Sequence, residues 1–200
     1  IPEEWVRTSY VNITARYYDK QLNLVNTFKN ANPKATIILD PSPRYLNPEN
    51  LPKIRKLFSK VDAIIPSEKE VEKLWPDDST VNSAQKLAKL GPSIVVINLG
   101  QRGSIVYDKS NNQFWKVPIF ATSVEDPTGA GDSFCGGFLV GLKETDNPAK
   151  AAIYGTVSAS FVVEGCGADY PAEVDRSEAD SRYDEVEEDL YQVDKWGSIT

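Results

Sequence analysis

Short apolar runs alternate with segments of helical spacing along the first half of the chain, and that alternation restricts it to few architectures. Tyr10 to Ala15 (Y-V-N-I-T-A) is β-branched and alternating, while Thr36 to Leu39, Val61 to Ile65 and Ile94 to Asn98 are largely apolar, as strands buried on both faces must be. Between them, Asp19 to Asn30 places Leu22, Val25 and Phe28 at helical intervals, and Leu51 to Phe58, Ser67 to Leu74 and Ser83 to Leu90 read as further helices. Ser104 to Tyr107 and Gln113 to Pro118, joined by a turn at Asp108 to Asn112, read as an edge β-hairpin. The expectation is one layered α/β domain over residues 1–200, with a mainly parallel sheet and right-handed crossovers through its helices. Ligands in such folds bind outside the carboxyl ends of the strands. Four elements fall there: Asp40 with its proline loop, Ser67 to Glu70, Gly100 to Gly103, and Asp126 to Asp132.

The stretch from Glu125 to Leu142 reads E-D-P-T-G-A-G-D-S-F-C-G-G-F-L-V-G-L, a tight turn running into an apolar helix. Gly129, Ala130 and Gly131 carry almost no side chain, so backbone N–H groups at the helix mouth can approach a bound oxygen, and the helix dipole adds positive charge at the same point. That is an anion site, best suited to phosphate. Asp132 would repel such a ligand unless it takes a proton from a nucleophile attacking it, which makes it the candidate general base. The competing reading is that Asp132 only stabilises a helix N-terminus. No G-x-x-x-x-G-K-[ST] occurs, and G-x-G-x-x-G breaks at Phe134, so Walker-type and dinucleotide-binding sites are disfavoured.

Composition narrows the chemistry. The chain has 200 residues, no histidine, and a formal charge of −7, which opposes sequence-independent binding to nucleic acid or to an anionic membrane. Without histidine, acid–base work falls to a carboxylate, Lys or Tyr. The two cysteines, Cys135 and Cys166, lie far apart and are expected to be buried, reduced and in the cytoplasm. The apolar runs are too short or too interrupted by glycine for a membrane span, and the opening I-P-E-E-W does not read as a secretory signal. With no methionine present, residue 1 does not read as a translation start. Asn147-Pro148 should open a small-residue helix over Ala149 to Val163. Residues 173–194 should form an acidic amphipathic helix through Tyr183, Val186, Leu190 and Val193, either with a solvated acidic face or as a docking tail.

The string Asp126-Pro127-Thr128-Gly129-Ala130-Gly131-Asp132 resembles the D-[TP]-x-G-A-G-D signature of ribokinase-like (PfkB-type) carbohydrate kinases, and the resemblance extends over nearly the whole chain. It implies the three-layer ribokinase-like fold, with ATP and Mg²⁺ as cofactors. Pro66-Ser67-Glu68-Lys69-Glu70 stands where that family has P-N-E-x-E, so the resemblance implies that Glu70 holds Mg²⁺ through water, with Ser67 in place of the usual Asn. Ser67-x-x-Glu70 is equally a capping box, and the two roles are compatible. The resemblance also implies nucleotide contacts at Gly100, Gly103, Thr128, Ser158 and Gly167. The small residues from Ser158 to Ala168 are explained equally well by close helix packing. Asp126 and the Gly167 region occupy the place of a monovalent cation in some members, although Pro171 stands where cation-dependent members offer a hydroxyl.

Members of that family are longer at the N-terminal side, where they carry first strands, a lid that often forms a homodimer contact, and a sugar-gripping G-G segment. The activity so implied is ATP-dependent phosphorylation of a hydroxymethyl group on a sugar or nucleoside. Gly129, Ala130 and Gly131 would stabilise the transferring phosphoryl and Asp132 would act as base. The alternatives are a catalytically impaired nucleotide-binding or interaction module of the same descent, and a scaffold using only the acidic segment.

Overall fold

The computed structural model describes residues 1–167, 171 and 174–194. The four expected parallel strands form as β1 (Tyr10–Ile13), β2 (Thr36–Leu39), β3 (Ala63–Ile64) and β4 (Ile94–Asn98). Helices α2 (Tyr18–Ala31) and α3 (Leu51–Phe58) follow the first two strands, and α4 (Glu68–Glu72) with α5 (Thr80–Ala88) follow the third. A short helix not foreseen from the sequence, α1 (Glu3–Val6), precedes them. The hairpin is β5 (Ser104–Asp108) with β6 (Gln113–Val117), and two long helices follow, α6 (Ala130–Thr145) and α7 (Pro148–Val162).

The acidic segment differs from expectation. Helix α8 spans Arg176–Glu188 only, and Tyr191–Val193 form a seventh strand, β7, paired antiparallel with β6. Val193, expected on the helix, is instead buried opposite Phe114. The open edge of β6 offers unpaired backbone groups, and pairing them outweighs extending a helix that has already spent its apolar face on Val186. Glu173 lies outside the described residues.

Among the described residues seven strands run in sequence order, β1 to β7. Pairings from β1 to β4 are parallel and those from β4 to β7 antiparallel, so the sheet is mixed. Alternate side chains on one strand feed two cores. Ile37 and Leu39 join a cluster with Val25, Ile54, Leu57 and Leu87, while Ile38 joins one with Phe134, Phe138, Ile153 and Phe161. Thus α2, α3, α4 and α5 cover one face, and α6, α7 and α8 the other. α6 and α7 pack very closely: a Cβ on Gly137 would lie 2.5 Å from the Tyr154 carbonyl oxygen, which accounts for much of the small-residue composition by packing. Of the two cysteines, Cys135 is buried as expected but Cys166 is exposed, because it follows α7 in a surface turn.

Candidate active site

The carboxyl ends of β2 and β3 sit level, since Leu39 pairs with Ile64, and this brings the residues that follow them to one edge of the sheet. Asp40 directly continues β2. Its main chain is held by Gln21, a fully buried residue of α2 whose amide donates to the Thr14 carbonyl at 2.9 Å and to the Asp40 carbonyl at 2.7 Å. The Gln21 Oε1 in turn accepts the Tyr45 hydroxyl at 2.6 Å. Every polar atom of this buried amide is therefore engaged, which rigidifies the loop ends it joins. Sequence reasoning missed Gln21; the available signal was a polar residue in helical register with Val25 and Phe28.

Glu70 enters from the first turn of α4. Ser67 caps that helix as a capping box, and both the Ser67 N–H and its hydroxyl donate to Glu70 Oε2, each at 2.8 Å. Glu70 Oε1 takes no hydrogen bond from the described residues.

Asp132 stands exposed in the first turn of α6. The preceding Gly129 adopts a left-handed conformation, φ 86°, which a side chain would strain. Ala130 N–H bonds to Pro127 O and Ser133 N–H to Gly129 O, while the N–H groups of Gly129, Gly131 and Asp132 have no acceptor among the described residues. A Cβ built on Gly131 meets nothing within 4 Å. Three donors without an acceptor thus lie on exposed residues at the positive end of a long helix, the local pattern of an oxyanion cradle.

Glu70 and Asp132 act electrostatically on Asp40. Burial, and then the charges of Glu70 and Asp132, push the Asp40 carboxyl up to about 7, against the lowering effect of a hydrogen bond from the Ala15 N–H. The same three carboxylates and, above all, burial raise the Cys135 thiol, so it is held protonated and is no nucleophile. A gathering of acids beside an anion cradle fits a divalent cation between them. Among the described residues no three acidic or sulfur ligands close around one ion, so the fit is to a hydrated ion such as Mg²⁺, which keeps several waters. Glu70, through Oε1, and Asp40 would be the groups to hold it.

The other expected positions divide. Gly100 and Gly103 bracket a 3-10 turn, with Gly103 at φ 76° and its Cα so close to β6 that a Cβ would lie 2.1 Å from Val117 O. That turn sits beside α4: Asn98 bridges to Ser67, and Arg102 forms an ion pair with Glu68. Asp126 accepts the Thr128 N–H at 2.9 Å in an Asx turn. Hydrogen bonds from Thr128 hold the Asp126 carboxyl below its usual range. Asp126 is not among the charges acting on Asp40. Ser158 lies on the seam between α6 and α7, its hydroxyl 2.7 Å from that of Ser133, at the edge of a groove of about 950 Å³ bounded by Tyr154, Phe161, Pro171 and α8. Gly167 has φ 91° and open space around it, and Ala168 lies outside the described residues.

A mixed α/β sheet with a glycine turn at the mouth of α6 and acids at the end of β2 and the start of α4 is a ribokinase-like scaffold. The pfkB family carbohydrate kinase profile matches residues 19–175, and the chain belongs to that family. Cytidine kinase of Thermococcus kodakarensis is 33% identical over 143 residues, which make up 70% of this chain and 50% of that protein. Ribokinase of Staphylococcus aureus is 29% identical over 179 residues, 84% of this chain and 56% of the relative. The chain therefore spans about half the length of these two curated relatives. Among solved structures, ribokinase of Thermotoga maritima superposes with a TM-score of 0.71 at 26% identity, over 92% of this chain and 60% of the other. Arabidopsis thaliana ribokinase complexed with ribose and ATP gives 0.73 at 24% identity, over 90% of this chain and 58% of the other, a likeness of fold. Among the described residues no helix is long and apolar enough to cross a membrane.

Proposed function

We propose that the protein transfers the γ-phosphoryl of ATP to a hydroxymethyl group of a sugar or nucleoside, with this chain supplying the nucleotide side and the base. The observation that carries the reading is the pairing of three unengaged N–H donors, on Gly129, Gly131 and Asp132, with the exposed Asp132 carboxylate at the same helix end. Donors alone would suit any anion; donors beside a carboxylate suit an anion under attack by a hydroxyl.

In this reading the three N–H groups and the α6 dipole stabilise charge on the transferring phosphoryl, and Ala130 keeps the turn slim enough for its approach. Asp132 accepts the proton of the acceptor hydroxyl as its oxygen attacks, a contribution of roughly 10²- to 10⁴-fold. Glu70 and Asp40 would hold Mg²⁺, which when bound neutralises charge on the triphosphate. The turn bracketed by Gly100 and Gly103, with Thr128, Ser158 and Gly167, is assigned to nucleotide binding. Asp126 is assigned to the support of the turn, its Asx hydrogen bond giving it a structural use that requires no monovalent cation. A ribose-bearing acceptor is supported by the relatives, which include a cytidine kinase and ribokinases.

The test is to offer the whole protein a panel of pentoses, hexoses and nucleosides with Mg-ATP and to follow ADP release. One acceptor class should stimulate release by at least about tenfold over the acceptor-free rate. Nucleotide binding with no acceptor stimulation across the panel would support an impaired binding module instead.

A further inference from the structure

The chain between β6 and α6, Pro118 to Gly129, contains no helix or strand, yet it delivers the anion turn. Without a ladder to fix it, such a strap must be held by side chains and isolated backbone bonds. Its partner is the end of α7. The N–H groups of Glu125 and Asp126 both donate to the Val163 carbonyl, at 2.8 and 3.3 Å, and the Thr122 hydroxyl donates to Glu164.

Glu164 is itself fixed by Arg182, which comes from the acidic helix α8. The Arg182 guanidinium grips both Glu164 oxygens, Nη1 to Oε1 at 2.8 Å and Nη2 to Oε2 at 3.0 Å, and donates to Ser160 Oγ at 2.9 Å and to Glu178 at 2.6 Å. Its plane lies over the ring of Phe161, 3.7 Å from the centroid, and against Phe120 of the strap at 4.6 Å. The Arg182 side chain is only 8% exposed in a helix whose other charges are mostly solvated. A buried forked ion pair contributes little net stability for its desolvation cost, but it admits one geometry and few others.

We propose that Arg182 is a positioning residue for the anion turn, acting through Phe120 and through Glu164 and Thr122 on the strap that carries Asp126 to Asp132. On this account α8 is neither a solvated appendage nor a docking tail but the anchor that sets where the phosphoryl-binding donors stand. The link to phosphoryl binding rests on the kinase reading; the link to strap geometry does not.

The experiment compares Arg182→Met, Arg182→Lys, Thr122→Val and the Arg182→Met/Thr122→Val pair in the whole protein. It reads amide hydrogen exchange at Glu125 and Asp126 and the affinity for Mg²⁺ with AMP-PNP, a non-hydrolysable ATP analogue. Arg182→Met should speed exchange at those two amides by about tenfold or more and weaken analogue binding by a similar factor, and the double variant should be less impaired than the product of the single effects. Arg182→Lys keeps the charge without the fork and should fall between; it also serves if Arg182→Met does not fold. A lowered melting temperature with both amides still protected and the analogue affinity within about twofold of wild type would overturn the proposal, since α8 would then be a structural anchor only. Faster exchange in a protein whose wild type fails to bind the analogue would sustain the strap assignment and count against the kinase reading alone.

Discussion

Ser67 satisfies its N–H and its hydroxyl on the same oxygen of Glu70, Oε2, and so leaves Oε1 outside the cap, on a side chain whose charge acts on the Asp40 carboxyl. One side chain thus closes a helix and presents a charge to the site. Glu70→Gln separates the two uses, because an amide oxygen can still accept both Ser67 donors while the charge is lost. The variant should lose no more than about 1 kcal/mol of stability, yet need several-fold more Mg²⁺ for half-maximal activity. A magnesium titration beside a thermal melt checks this. Lowered melting with an unchanged magnesium requirement would leave the cap as the sole role.

Asp132→Asn tests the base against the helix-terminus role. Asn is nearly isosteric and remains compatible with the first turn, so stability should hardly change. If Asp132 takes the acceptor proton, kcat should fall by about two to four orders of magnitude while nucleotide binding survives or tightens. Retention of more than about a tenth of wild-type kcat would sink the assignment, as that loss is worth only about 1.4 kcal/mol of barrier.

Two glycines should respond in opposite ways to alanine. At Gly131 the added methyl meets no protein atom and lies in helix α6, so Gly131→Ala should keep or raise stability by up to about 1 kcal/mol. The same methyl enters the space the phosphoryl would use, so analogue affinity should drop sharply. At Gly103 the methyl meets Val117 O at 2.1 Å with the backbone at a positive φ of 76°, so Gly103→Ala should lower the melting temperature and soluble yield. Equal effects of both on stability would contradict the open cradle.

Asp40 predicts a pH dependence of definite sign. Its carboxyl is raised to about 7 in the fold, against about 3.9 in an unfolded chain, so the folded state binds the proton more tightly. That stabilising contribution is full below about pH 4 and is lost as pH rises through about 7. Without divalent cation, Asp40→Asn should therefore be the more stable protein at pH 8, by roughly 2–4 kcal/mol at most, and saturating Mg²⁺ should narrow the difference. Denaturant melts of both proteins at pH 5 and pH 8, with and without Mg²⁺, measure it; a wild type equal to the variant at pH 8 would exclude a carboxyl raised by burial and the neighbouring charges.

What was legible in the sequence was local. The capping box follows from a three-residue spacing that helix geometry converts into contact, and the tight turn before α6 follows from glycines whose backbone freedom requires no partner. The strands from Thr36 to Leu39 and Ile94 to Asn98 were readable because burial on both faces demands unbroken apolar runs. Tertiary structure decided the relations between distant segments. Asp40 was visible as the end of a strand, but its meeting with Glu70 and Asp132 depends on the register that sets Leu39 beside Ile64 and on where α6 crosses the sheet. Residues 173–194 carry helical periodicity throughout, yet Tyr191–Val193 become a strand because β6 leaves an open edge for them. Arg182 illustrates the same limit: in sequence it is one cation in an acidic run, and only the packing of Phe120, Phe161 and Glu164 around it makes it a buried clamp, since burial belongs to the surroundings a residue is given and not to its type.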